Sequence, residues 1–175
     1  PDGSTLAYTE VGQSSDIYLV ERGGEPRLFE PRASSPVISP DGRWIAYTSP
    51  GSGSTSVFVR PAEGEGKWQV SPNLGGYPRW SGDGRKLFYI DIGTAKRPLM
   101  EVDVEAGASF RFSAPKELIP DLGGRFVTTT APANNWDAGP DGDRFVFVEF
   151  ERDERSRGKI EIALNWPQQL ELGAE

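Results

Sequence analysis

Few residues of this chain of 175 can do covalent or acid–base chemistry. It contains no His and no Cys, which removes the commonest general base and all thiolate chemistry. A Ser nucleophile would therefore lack an imidazole partner, and no Gly-x-Ser-x-Gly elbow is present. Gly64-Glu65-Gly66-Lys67 has the glycines and lysine of a phosphate cradle. It lacks the spacing of a phosphate loop, and Trp68 stands where Ser or Thr would bind magnesium, so it reads as a hairpin turn. Asp141-Gly142-Asp143 offers two carboxylates, but neither the further oxygen ligands nor the terminal Glu of a calcium loop follows. Asp and Glu together number 26, yet nothing in their placement singles out a pair for glycoside hydrolysis. The expectation is a protein without enzymatic activity, cofactor or metal.

Binding is then the open question, and charge bounds it. The formal net charge is −7, which argues against a nucleic-acid backbone as partner. There is no apolar run of the length of a membrane span, and no signal peptide is visible. The mixed run Glu149 to Arg157 reads as a solvated hairpin tip rather than a docking loop. The expected function is protein–protein interaction or ligand sensing, with a protein or peptide as the expected partner.

The elements that must position any site follow from a repeat. Ser39-Pro40-Asp41-Gly42-Arg43-Trp44-Ile45-Ala46-Tyr47 has counterparts beginning at Pro1, Ser81 and Pro140. Aligned on Asp-Gly, the fourth residue onward is Leu6, Ile45, Leu87 or Phe145, and the sixth is Tyr8, Tyr47, Tyr89 or Phe147. Each copy is a tight turn feeding an apolar strand, because Gly accepts positive φ and Asp bonds its own backbone. The apolar runs are nearly continuous, so the strands are expected to be covered on both faces. The aspartates Asp2, Asp41, Asp83 and Asp141 stand 39, 42 and 58 residues apart. A period near forty with strands and turns predicts propeller blades, each a four-stranded antiparallel sheet that must stack on its neighbours.

The fold class is therefore all-β: a β-propeller segment of about four blades, at 1–33, 34–73, 74–133 and 134–167, followed by a polar tail at 168–175. The first blade is read as strands at Leu6 to Tyr8, Asp16 to Val20 and Arg27 to Phe29, with its innermost strand before Pro1. In the third, Phe110 to Phe112 and Lys116 to Ile119 share the outer edge. The irregular stretch Pro120 to Ala133 accounts for the long spacing. The chain starts in mid-repeat and is read as a piece of something longer. It forms either part of a ring or an open arc whose apolar end faces favour self-association. Trp44, Trp68, Trp80, Trp136 and Trp166 are assigned to packing between blades. Any binding site should lie on the inner strands and the loops that lead into them. The candidates there are Tyr77, Arg79, Asn134 and Asn135, expected to be exposed.

The run Ser39 to Ser49 resembles the Trp-Ser-Pro-Asp-Gly repeat of TolB-type propellers, also called PD40 or WD40-like repeats. Gly66 to Ser71, Pro78-Arg79-Trp80-Ser81 and Ala163 to Trp166 resemble the C-terminal propeller half of acidobacterial-type proteins that carry a serine/threonine kinase or DNA-binding domain ahead of it. Two departures occur: Gly82 stands where Pro is usual, and Gly139-Pro140 replaces Ser-Pro. The resemblance implies a rigid ring whose loops and channel bind partners, within a bacterial signalling protein and on the periplasmic side of the membrane. An alternative implication is the substrate-gating propeller of a prolyl-oligopeptidase-like serine peptidase, whose catalytic domain is absent here.

Overall fold

The computed structural model describes residues 3–51, 54–107, 109–123, 135–149 and 159–163. These form four antiparallel sheets that follow one another along the chain. The first contains β1 (Thr5–Val11), β2 (Ser15–Glu21) and β3 (Arg27–Glu30) in that order. The second contains β4 (Ser34–Ile38), β5 (Trp44–Pro50), β6 (Thr55–Pro61) and β7 (Trp68–Gln69). The third runs β8 (Gly75–Trp80), β9 (Lys86–Asp91), β10 (Leu99–Ala106), and its outer edge is shared by β11 (Phe110–Phe112) and β12 (Lys116–Ile119). Both outer pieces pair with β10, Phe112 opposite Val104 and Lys116 opposite Glu101. The fourth contains β13 (Trp136–Ala138), β14 (Phe145–Glu149) and β15 (Lys159–Ala163). The architecture is the all-β propeller segment that the repeat predicts. Trp166, most of the stretch Pro120 to Ala133 and the tail at 168–175 lie outside the described residues.

The repeat turn is a small hydrogen-bonded machine. Ser39 Oγ donates to Asp41 Oδ1 at 2.5 Å and accepts from the Trp44 N–H at 3.0 Å. Asp41 Oδ1 also accepts from the Arg43 N–H, and Gly42, at φ 74°, donates to the Ser39 carbonyl. Ser81, Asp83, Gly84, Arg85 and Lys86 repeat every one of these bonds. In the fourth copy Gly139 replaces the serine. The backbone turn persists there, with Gly139 N–H on the Arg144 carbonyl, while Asp141 is held instead by Arg144 Nη2 at 2.8 Å.

Each turn launches a strand whose two faces pack into different clusters, which is why the apolar runs lack alternation. On β5, Trp44 and Ala46 face a cluster with Trp80, Leu87, Tyr89 and Val102 of the third sheet. Ile45 and Tyr47 face Ile17, Leu19 and Phe29 of the first. On β9 the same division sends Leu87 and Tyr89 back to the second sheet, and Phe88 and Ile90 onward to Trp136 and Phe145 of the fourth. Each side chain buried completely this way contributes about 1.5–3 kcal/mol relative to exposure. Four of the tryptophans behave as expected. Trp44 and Trp68 meet Phe110 at 5.2 and 5.6 Å between centroids, Trp80 meets it edge-on, and Trp136 joins Phe145 and Phe147.

Polar contacts tie the sheets as well. Glu30, 8% exposed, accepts from Arg60 Nη1 at 2.8 Å and from Lys67 Nζ at 2.6 Å, both in the second sheet's segment. Lys67 also lies 4.4 Å from the Phe58 centroid, and Arg60 lies 4.5 Å from that of Phe29. Lys67 thus has a structural partner, in keeping with Gly64-Glu65-Gly66-Lys67 as a hairpin connection. The outward face of the first sheet is open: Leu6 and Leu28 are 60% and 52% exposed, and Tyr8 stacks on Tyr18 across the strand pair.

Candidate functional site

Four strands, β1, β4, β8 and β13, succeed one another, each touching the next. They border a cleft of about 510 Å³, lined among others by Leu6, Ala7, Val37, Arg79, Asn135 and Asp137, with Val146 and Val148 of β14 closing one wall. Counted back from the repeat aspartates, Val37, Arg79 and Asp137 are equivalent: each stands four residues before Asp41, Asp83 or Asp141. One ring position therefore presents Val, Arg and Asp on consecutive blades.

A backbone irregularity shapes this position. The pairing of β4 with β5 shifts between Ser34 and Val37, and that of β8 with β9 shifts between Gly76 and Arg79. Ser35 and Tyr77, again repeat-equivalent, have φ of 54° and 58°. Each precedes a proline, which supplies no donor to the ladder. The result is a β-bulge, a feature that re-aims the side chains next to it. Tyr77 N–H is taken by Thr48 Oγ1 at 3.2 Å, so the bulge is anchored on the preceding sheet.

Arg79 carries the charge of the cleft. It is 6% exposed. Its Nη1 donates to the Pro78 carbonyl at 2.6 Å, its Nε lies 3.4 Å from Asp137 Oδ1, and its guanidinium carbon sits 5.6 Å from the Trp136 ring centroid. Burial pushes the guanidinium below its ordinary value and Asp137 pulls it back; it stays cationic at neutral pH. Its counter-ion is the opposite of buried: the Asp137 side chain is 76% exposed. Among the described residues Arg79 Nη2 makes no hydrogen bond.

The four candidates from sequence separate in the structure. Arg79 and Asn135 line the same cleft. Tyr77 packs instead on the cluster of Phe88, Ile90 and Trp136 between the third and fourth sheets. Asn134 lies outside the described residues. The expected exposure is corrected for all three described ones: Arg79 and Asn135 are buried, at 6% and 5%, and Tyr77 is half-buried. For Arg79 and Tyr77 the reason is stacking of the next blade, which covers inner-strand side chains that a single sheet would leave open. Asp137, Val37, Val146 and Val148 were missed. Asp137 was findable, because it occupies the repeat position of Arg79.

Among the described residues no group of three or more acidic or imidazole side chains could hold a metal ion. Among the described residues no helix is long and apolar enough to cross a membrane.

These sheets and their inner cleft define a β-propeller segment, and comparison with known proteins bears on that class. No family model matches the chain. The uncharacterized protein Atu1656 of Agrobacterium fabrum is 30% identical over 159 residues, covering 86% of this chain and 53% of that protein. The chain thus spans about half the length of the curated relative that it matches. The crystal structure of TolB from Acinetobacter baumannii superposes with a TM-score of 0.65 at 18% identity, over 93% of this chain and 38% of TolB. The β-propeller domain of the Trilobed protease from Pyrococcus furiosus gives 0.50 at 15% identity, over 93% and 66%. At such identities the likeness is one of fold.

Proposed function

We propose that this chain is a non-catalytic propeller module that binds a protein or peptide partner in the cleft bordered by β1, β4, β8 and β13. One observation carries the reading. Three inner strands, β4, β8 and β13, together with β1 of the first sheet, border a concave, mostly apolar surface that contains a single buried cation, the composition expected of a binding site rather than of a core. No acid–base pair or nucleophile accompanies it in the cleft. The motif resemblance further suggests that the module belongs to a larger bacterial signalling protein, with the propeller as its sensing part. The open face of the first sheet is proposed as a contact for a second copy of the chain.

Selection of phage-displayed random peptides on the full chain tests the cleft. Selected peptides should lose binding to Thr5→Trp, which fills the cleft from β1, and keep it with Glu117→Trp on the outer edge strand β12. Equal binding to both variants would remove the cleft as the site.

A further inference from the structure

The electrostatics of the cleft point to the chemistry of its occupant. A guanidinium offers five donors in a planar fork and is suited to a carboxylate held by two parallel bonds. Arg79 is more than nine-tenths buried yet makes one hydrogen bond, to the carbonyl of its own neighbour Pro78. Its ion pair with Asp137 is a single 3.4 Å approach through Nε, from a side chain that is mostly in solvent. The buried donors and acceptors wholly sealed from contact and unpartnered are Trp44 Nε1, Tyr47 OH, Arg60 Nε and Trp136 Nε1. Arg79 Nη2 is not among them. Among the described residues it has no hydrogen-bond partner, and Arg79 lines the cleft. An under-used, desolvated cation is expensive to keep unless something anionic completes it.

We infer that the cleft receives the C-terminal carboxylate of an extended apolar peptide, with the Arg79 guanidinium as its anchor. This rests on the reading of the cleft as the binding site. The apolar part of the peptide would lie along Ala7, Val37, Val146 and Val148, whose side chains provide no hydrogen bonds. That favours a chain end over an internal acidic side chain. An end brings one flank of backbone into the cleft, whereas an internal residue brings two flanks whose amides need partners. The bulge at Tyr77 and Pro78 fixes the backbone from which Arg79 projects, so the anchor is preorganised. Asp137 competes with the ligand for Nε.

The test uses the full chain and three pools of N-acetylated random pentapeptides, followed by saturation-transfer NMR. One pool lacks Asp and Glu and has a free C-terminus, the second is the same pool amidated, and the third is amidated with one central Asp or Glu. The free-acid pool should bind and the plain amide pool should bind at least tenfold more weakly, the loss expected for a charge-assisted bond. Arg79→Gln should remove that preference. Asp137→Asn, at an exposed side chain where misfolding is not a concern, should raise acid-pool affinity by about two- to fivefold. Equal binding of acid and amide pools, or unchanged affinity in Asp137→Asn, overturns the inference. Binding of the central-acid pool alone overturns the assignment to a chain end. If no pool binds while cleft-filling still abolishes binding of phage-selected peptides, the carboxylate inference falls and the cleft survives; if both fail, both fall.

Discussion

The Gly82 N–H donates to the Pro140 carbonyl at 2.9 Å, joining the repeat turn of the third sheet to that of the fourth. Gly82, where the third copy departs from the usual proline, thus contacts the proline that the fourth copy keeps. An added Cβ at Gly82 would stand 2.5 Å from the Pro140 oxygen and 2.8 Å from its Cα, distances that backbone atoms cannot absorb without movement. A proline there would also abolish the N–H. Gly82→Ala should therefore cost about 1–3 kcal/mol, the range for overpacking, and Gly82→Pro, though it matches the usual repeat, should cost more. Urea denaturation compares the three proteins. A Gly82→Pro variant as stable as the parent would mean that the turn–turn bond is dispensable.

That pair also marks how far the sequence could be read. The Asp-Gly turns, the strands after them and the stacking role of the tryptophans follow from local chemistry and period, because both faces of each strand had to be apolar. The split outer edge of β11 and β12 was legible for the same reason. What escaped was set by the neighbouring blade. Gly82 looks like a blemish until Pro140 is beside it, and Arg79 looks exposed until the fourth sheet covers it. The left-handed backbone at Ser35 and Tyr77 left no signal either, since neither residue type favours it. Alignment of the repeats by inner-strand position, rather than by turn alone, would have found Asp137.

Tyr47 separates packing from hydrogen bonding. It is fully buried between the first and second sheets, with Phe29 edge-on at 5.9 Å. Burial, and then the charge of Glu30, raise its phenol well above the ordinary value. The hydroxyl feels Glu30 without the geometry of a hydrogen bond. Tyr47→Ala should cost about 3–5 kcal/mol. Tyr47→Phe removes only a buried, unpartnered hydroxyl and should cost less than about 1 kcal/mol or stabilise. Chemical denaturation measures both. A large loss in Tyr47→Phe would mean that the hydroxyl has a partner after all.

Glu30 makes the interface of the first two sheets sensitive to acid. Burial raises its carboxyl, but the bonds from Lys67 and Arg60 outweigh this, and the net shift is below the ordinary 4.5. A depressed folded value means stability that is complete above the ordinary carboxylate range and lost as pH falls through the folded value. Glu30→Gln leaves two cations without their shared carboxylate and should cost about 1–3 kcal/mol near neutrality. The gap between the variant and the parent should narrow as pH falls from the ordinary carboxylate value through the depressed folded one. Denaturation midpoints across a pH series give the answer. A gap that is constant with pH would show that the interaction is not ionic.

The open face of the first sheet is the proposed contact for a second copy in solution. Leu6 and Leu28 present apolar surface on the side away from the second sheet, more than half exposed each, and an uncovered sheet face of this kind favours association. Light scattering over a concentration series should find mass rising with concentration for the parent chain. Leu28→Glu puts a charge on that face from the edge strand β3, opposite Tyr18 in the register of β2 and β3, and should return the chain to the mass of a single copy. Substitution at an exposed position leaves the buried clusters intact, so the thermal midpoint should hold within about 0.5 kcal/mol of stability. A parent chain that stays monomeric at every concentration would remove this contact. Association that persists in Leu28→Glu would move it to another face, and the Arg79 cleft would then have to be mapped in the assembled species, where a neighbouring copy could cover it.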